Sequence, residues 1–185
     1  MLSGIGDKVE TTTRATIAAS TTGASAMSHE ADGRHEFDFL HGTWNNHNRK
    51  LKKRLVGCTE WDEFEATGSC FQTLGGLGNV DNFLPTADGN SFEAMSIRIF
   101  NPDTQLWSIW WADNNACTLF PPVHGRFVDG VGEFCGTDIQ DGTPVDVRYL
   151  WTNITPTSAK WEQAMSIDSG LIWETNWEMH FTRVS

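Results

Sequence analysis

The sequence predicts an all-β chain: an antiparallel up-and-down barrel of about ten strands around an internal cavity. Three observations point there. Short segments of alternating apolar and polar residues recur at close, regular spacing, separated by Gly, Asp, Asn and Pro. No segment beyond residue 40 has a convincing helical period. Finally, Phe37-Asp38-Phe39-Leu40-His41-Gly42-Thr43-Trp44 places a turn-permitting glycine two residues before a tryptophan large enough to plug one barrel end.

Taken in order, residues 1–34 are rich in Thr, Ser, Ala and Gly without hydrophobic period. They are expected to form a flexible, disordered tail, with Met27 a possible internal start, ahead of a barrel domain over 35–185. A short helix over Glu36–Leu40 would close one barrel end. Strands are expected over Gly42–Leu55 and Trp61–Gln72, then, past the Gly75-Gly76-Leu77-Gly78 corner, over Asn79–Leu84. Phe92–Phe100 alternates, with Met95, Ile97 and Ile99 on one face and Ser96 and Arg98 on the other. Asn101-Pro102-Asp103-Thr104 turns the chain into Leu106–Ala112. Val123–Val128 and Glu133–Asp138 are joined by Asp129-Gly130, a strong hairpin signal, and Asp141-Gly142 leads into Val145–Asn153. Ala159–Ser166 and Ile172–Thr182 complete the meander. Between them, Ser166-Ile167-Asp168-Ser169-Gly170-Leu171-Ile172-Trp173 resembles the Asp box of sialidase-type propellers. In that turn the Asp accepts backbone N–H groups, the Gly takes positive φ and the Trp packs beneath. The resemblance is to the turn alone, since a propeller needs repeats.

The last strands predict the inner face. Trp173, Thr175, Trp177, Met179 and Phe181 alternate with Glu174, Asn176, Glu178, His180 and Thr182. Trp161, Gln163 and Met165 share a face, as do Val145, Val147, Tyr149 and Trp151. Ten strands enclose room for a ligand rather than a solid core. The expected ligand-binding residues are Trp107, Trp111, Tyr149, Trp151, Trp161, Gln163, Thr175, Trp177 and Met179.

Composition narrows the partners. With nine Trp, eleven Phe and one Tyr in 185 residues, the chain can bury large ring areas in one core. A net charge of −11 repels phosphate backbones, so no nucleic acid is expected. The basic run Arg49-Lys50-Leu51-Lys52-Lys53-Arg54 reads as a strand whose lysines block edge pairing. No apolar run reaches the ~20 residues that span a bilayer, so no membrane partner is expected. Cys58, Cys70, Cys117 and Cys135 show neither Cys-x-x-Cys nor zinc spacing, and Ala15–Ser20 is too short and polar for a signal-peptide core. Free thiols in a cytoplasmic protein follow, and the Asn153-Ile154-Thr155 sequon is read as chance.

Several polar residues could carry acid–base chemistry. His47 and Arg49 share a face of the first strand with Thr43 and Asn45, and an imidazole beside a fixed cation suits proton transfer and oxyanion binding. Asp81, after the glycine run, is either a base at the barrel mouth or a turn residue. Asp113 shares a face with Trp107, Ile109 and Trp111, which puts it at the rim as a proton acceptor or a loop cap. Arg98 and His124 complete the set, His124 sitting in period with Arg126 and able to face Glu133 or Arg148. The histidines lack metal-ligand spacing, and there is no nucleophile elbow, phosphate loop or dinucleotide fingerprint. No metal and no cofactor are expected.

The pieces Phe37-Asp38-Phe39-Leu40-x-Gly42-x-Trp44, Asn48-Arg49-x-Leu51, Leu74-Gly75-Gly76-Leu77-Gly78-Asn79-Val80-Asp81, Trp107-Ser108-Ile109-x-Trp111-Ala112-Asp113, Trp161-Glu162-Gln163-Ala164 and Trp173-Glu174-x-Asn176-Trp177 together resemble a bacterial family of uncharacterised lipocalin-like (calycin-type) barrels, over about residues 36–183. The resemblance implies the fold and no activity. The chain departs from true lipocalins in lacking secretion and paired cysteines. It departs from nitrobindin-like haem barrels in lacking their glycine-rich strand opening, and His180 falls on the polar face.

The expected function is binding of a small lipophilic or aromatic molecule in the barrel. The alternative is a cofactor-independent isomerase, lyase or cyclase acting on such a molecule. A homodimer is also expected if Trp61, Trp110 and Phe134 form an outer apolar patch.

Overall fold

The computed structural model describes residues 32–86 and 92–185. Ten strands form one closed antiparallel barrel in which every strand lies beside its sequence neighbours and the last pairs with the first. They are β1 (Gly42–Leu51), β2 (Trp61–Thr73), β3 (Gly78–Pro85), β4 (Ala94–Asn101), β5 (Leu106–Asp113), β6 (Val123–Val128), β7 (Val131–Gln140), β8 (Thr143–Thr152), β9 (Ser158–Ser166) and β10 (Glu174–Arg183). Closure runs from Trp44 opposite Arg183 to Lys50 opposite Trp177, and β1 pairs with β2 from Gly42–Cys70 to Leu51–Trp61. The chain is therefore the all-β up-and-down barrel that its alternation predicts. Because the sheet closes on itself it has no free edge, so the lysines after β1 have no edge to protect. The first strand also ends at Leu51, short of the expected Leu55.

The turns follow their chemistry. Asp129-Gly130 and Asp141-Gly142 hold consecutive positive φ values, 50° and 79°, then 50° and 81°. Two such residues give a turn whose twist matches that of the strands it joins. The Asp-box segment behaves as its resemblance implies. Asp168 Oδ1 accepts from the Ile172 N–H at 2.9 Å, Gly170 has φ 79°, and Trp173 packs under that glycine.

One end of the barrel is sealed by residues 32–41. Two 3₁₀ turns, Gly33–His35 and Asp38–Leu40, replace the expected continuous helix. The break lets Phe37 drop into the barrel, where it is 1% exposed and meets Phe39, Trp107, Phe127, Phe134 and Trp151. The Trp107 indole N–H donates to the Gly33 carbonyl at 2.9 Å, so Gly33 belongs to the plug and not to the tail in which the sequence reading places it. Asp32 and Arg34 belong to the same turn, and residues 1–31 of that expected tail lie outside the described residues. Trp44 closes the same end from β1. It is 2% exposed, its indole N–H donates to the Leu40 carbonyl at 2.7 Å, and the Arg183 guanidinium lies 4.1 Å over its ring. Arg183 also donates to the carbonyls of Phe39, His41 and Pro156, tying β10 to the plug.

The phase of three strands decides which of their residues reach the interior. With Trp44 inside, period two puts Asn46, Asn48 and Lys50 inside and His47 and Arg49 outside. On β4 the inner residues are Ala94, Ser96, Arg98 and Phe100, and the aliphatic trio Met95, Ile97 and Ile99 faces out. On β10 a bulge between Thr175 and Trp177 lets Asn176 and Trp177 both be buried, so Thr175 and Trp173 fall out of phase with Trp177 and Met179. Trp173 instead stacks on the Arg148 guanidinium at 4.5 Å. Phe134 is wholly buried inside the barrel, which removes it from the outer patch expected to support a dimer.

Candidate functional site

Two cavities occupy the barrel between the plug and the far rim, and Trp111, Tyr149 and Trp161 line both. The inner one, about 50 Å³, is walled by rings and aliphatics that include Leu40 and Trp44 of the plug end, with Ile109, Trp151, Met179 and Phe181, and Phe83 toward the rim. Its polar centre is Arg98, 4% exposed. One guanidinium nitrogen, Nη1, lies 2.7 Å from the Asp81 carboxylate and donates to Asn79 Oδ1 at 3.0 Å. The opposite Asp81 oxygen accepts from the Ser96 N–H at 3.1 Å. The guanidinium carbon sits 5.2 Å from the Phe37 ring and 5.9 Å from that of Trp151, so the cation is held between the plug and β8. Cys70 lines the same cavity, and burial pushes its thiol up to about 12, which keeps it neutral.

The outer cavity, about 190 Å³, lies at the end opposite the plug. Its aromatic wall is Phe92, Trp111, Tyr149, Trp161 and Trp177, with Val147 and Met165 behind. Burial pushes the Tyr149 phenol up to about 12, so it acts as a neutral hydroxyl. Gln163 Nε2 donates to Asn176 Oδ1 at 2.9 Å, and the Trp177 indole N–H donates to Asn48 Oδ1 at 3.0 Å. These polar groups satisfy one another and pin the rings. Lys50 reaches into the rim with its ammonium 4.2 Å from the Trp177 ring and 5.2 Å from that of Phe92. Burial, helped by the nearby Arg54 charge and opposed by Asp113, lowers its pKa to about 8. Arg54, Asp113 and Asp138 complete the charged rim.

The expected ligand contacts divide accordingly. Trp111, Tyr149, Trp151, Trp161, Gln163, Trp177 and Met179 line one or both cavities. Trp107 does not; it is a plug residue, packed on Phe37 and Phe100. Thr175 lines neither, because the bulge turns it away. Of the acid–base candidates, Asp81, Arg98 and Asp113 face the interior, and Asp81 and Arg98 meet. Asp81 lies inside the barrel rather than at its mouth, and Asp113 also caps its loop by accepting from the Asn115 and Ala116 N–H groups.

His47, Arg49 and His124 point outward, which separates them from the cavity. His47 Nδ1 lies 2.6 Å from Glu65, and Arg49 bridges Glu63 and Glu178 while stacking on Trp61. His124 bonds the Ser108 hydroxyl at 2.9 Å and lies opposite Cys135 across the β6–β7 ladder, where Glu133 is opposite Arg126.

Residues absent from the sequence-based site are Asn46, Phe83, Lys50, Arg54 and Asn176. For Asn46 and Lys50 the signal was present: Trp44 inside fixes every second residue of β1. Among the described residues no three His, Cys, Asp or Glu side chains gather as a metal site, and no helix is long and apolar enough to cross a membrane. No protein-family model and no curated protein matches this chain.

Proposed function

We propose that the protein binds a small, predominantly aromatic molecule inside the barrel, between the plug and the rim. The observation that carries this reading is the pair of cavities sharing Trp111, Tyr149 and Trp161, the inner one apolar-walled around a few fixed polar groups and the outer one ringed by aromatics beneath a charged rim. Ligand sites commonly combine these two properties. Size restricts the guest. Together the two cavities fall below the ~300 Å³ at which sites for drug-sized ligands begin, so the enclosed part of the guest is the size of one or two rings. The closed ten-stranded barrel and the motifs from Phe37 to Trp177 favour a lipocalin-like (calycin-type) relationship. The unpaired cysteines favour a cytoplasmic setting.

A second reading, a cofactor-independent isomerase, lyase or cyclase, rests on Asp81 with Arg98 inside and Lys50 with Asp113 at the rim. Such groups could move a proton within a water-poor pocket.

Native mass spectrometry of the purified protein, with tryptophan emission titrations using small aromatic probes, tests the binding reading. A stoichiometric adduct and saturable quenching are expected, since five of the residues lining the two cavities are tryptophans. Unchanged emission with every probe, and a mass equal to the bare chain, would end it.

A further inference from the structure

Resting on that binding reading, we propose that the guest is a small aromatic aldehyde, held in the outer cavity as a Schiff base with Lys50. The period of β1 that puts Trp44 inside also turns Lys50 inward, opposite Trp177 of β10. Its ammonium lies 4.2 Å from the Trp177 ring and 5.2 Å from that of Phe92. Among the described residues Lys50 makes no hydrogen bond and no ion pair, whereas Lys52 is paired with Glu60 and Lys160 with Glu162 and Glu178. The nitrogen is nevertheless reachable. It is not one of the sealed polar atoms of the interior, and Lys50 lines both the outer cavity and the open cleft beyond it, with Phe92 and Asp113 common to the two. A guest entering from that cleft therefore meets the amine.

The chemistry of this place favours a nucleophile over a simple charge. Burial, with the Arg54 charge adding to it and Asp113 opposing, lowers the Lys50 pKa to about 8. At pH 7 roughly a tenth of the amine is then neutral, against about one part in three thousand for an ordinary lysine. Desolvation and a neighbouring cation are the two means by which lysines are made nucleophilic, and both act here. An apolar side chain would occupy the position without the penalty of burying a charge, so a lysine there marks a functional position. Nor is Lys50 a spare counter-ion for an anionic guest. Around this cavity Lys50 and Arg54 already face Asp113 and Asp138, which leaves no surplus positive charge. A neutral carbonyl compound meets no such barrier, and about 190 Å³ receives one ring bearing it.

The step balances without a co-reactant. The Lys50 nitrogen lone pair forms a C–N bond to the aldehyde carbon as the C=O π pair moves to oxygen. The nitrogen loses a proton and the oxygen gains one, giving a carbinolamine. A second proton on that oxygen lets it leave as water while the nitrogen lone pair closes the C=N bond, leaving a protonated imine. Asp113, which lines cavity and cleft together with Lys50, is the carboxylate that relays these protons to and from solvent. The ring of the guest lies against Trp111, Tyr149 and Trp161, and the imine keeps a positive charge near the Trp177 face, where the ammonium sits.

Reductive trapping tests the assignment. The intact protein at pH 7 is mixed with benzaldehyde and sodium cyanoborohydride, which reduces an imine to a stable benzylamine, and the chain is weighed and peptide-mapped. One benzyl group is expected on Lys50, added at least about tenfold faster than on the exposed Lys53, because more of the Lys50 amine is neutral. The rate should saturate with benzaldehyde, as prior binding requires. Lys50→Arg keeps the positive charge and should lose this adduct. If that variant fails to fold by circular dichroism, Lys50→Met carries the same comparison. Toluene, followed by tryptophan emission of the parent protein, reports aromatic binding without the aldehyde. Labelling of Lys50 no faster than of Lys53, or an adduct only elsewhere, as on the N-terminal amine, overturns the Schiff base, and toluene that still binds leaves aromatic binding standing. Neither trapping at Lys50 nor toluene binding overturns both.

Discussion

Replacing Trp44 with alanine tests whether the plug, rather than the strand ladder alone, holds the barrel shut. The ring is 2% exposed and packs edge-on to Phe181 at 6.1 Å. Truncating a core aromatic costs about 3–5 kcal/mol. The substitution also leaves the Leu40 carbonyl without the indole N–H that serves it at 2.7 Å, a further ~1–3 kcal/mol if water cannot reach it. Losing the Arg183 stack at 4.1 Å adds ~0.5–2 kcal/mol. These contributions overlap, because Arg183 keeps its bonds to the Phe39, His41 and Pro156 carbonyls. A net loss of about 4–6 kcal/mol is expected, against the ~5–15 kcal/mol that holds an ordinary domain together. Urea unfolding of parent, Trp44→Ala, Trp44→Phe and Trp111→Ala measures it. The phenylalanine variant should lose about 1–3 kcal/mol, the share of the missing N–H. Trp111→Ala, on the cavity wall and only partly buried, should lose less than Trp44→Ala while weakening aromatic probes. A Trp44→Ala protein within about 1 kcal/mol of the parent would refute the claim that this residue seals the barrel.

Three other substitutions probe the interior charges and the sheet. Lys50 has a folded pKa of about 8 against an unfolded value near 10.5, so the unfolded chain holds more protons between those limits and stability from this group rises with pH there. Lys50→Met should therefore be stabilising by roughly 2–3 kcal/mol at pH 7, with the gain shrinking from pH 8 to 10. Thermal melts of the two proteins across that range read the difference, and a gain independent of pH would contradict it. Arg98→Met strands the Asp81 carboxylate and should cost about 3–5 kcal/mol. Adding Asp81→Asn, which keeps an acceptor for the Ser96 N–H, should recover a good part, and a strictly additive double mutant would argue against a coupled pair. In Gly125→Ala the new methyl would overlap the Glu133 carbonyl oxygen across the β6–β7 ladder, so a folded, parent-like melt is the outcome to look for against this packing.

Much of the fold was legible because a half-buried strand records its two faces in its own alternation. β8 and β9 show this plainly: Val145, Val147, Tyr149 and Trp151, and Trp161, Gln163 and Met165, face inward as their period implies. The candidate site was less legible, for three physical reasons. On β1, chemical interest in His47 and Arg49 competed with the phase that Trp44 sets, and the phase decides. On β4, aliphatic content suggested nothing about direction, because the inner face of this barrel is polar at Ser96 and Arg98 and closed by Asp81. On β10, a single bulge moved Thr175 out and Asn176 in, and the sequence carries no mark of where a ladder slips. Trp107 was misassigned for a fourth reason: alternation gives the face of a strand but not its depth along the barrel axis, and depth separates plug from cavity.

The one-sided plug has a consequence for how such a protein can change. Residues that keep the vessel sealed, Phe37, Trp44, Trp107 and Arg183, cluster at its floor, whereas those near the opening, Lys50, Arg54, Phe92, Asp113 and Trp177, stand a strand's length away. Distant sites of this kind contribute to stability almost independently. Substitutions around the opening can thus alter which guest is admitted with little penalty to the scaffold. A library confined to the partly buried rim positions Lys50, Arg54, Phe92 and Asp113 should yield mostly folded proteins with altered guests, and one confined to the floor, or to the buried Trp177, mostly unfolded ones.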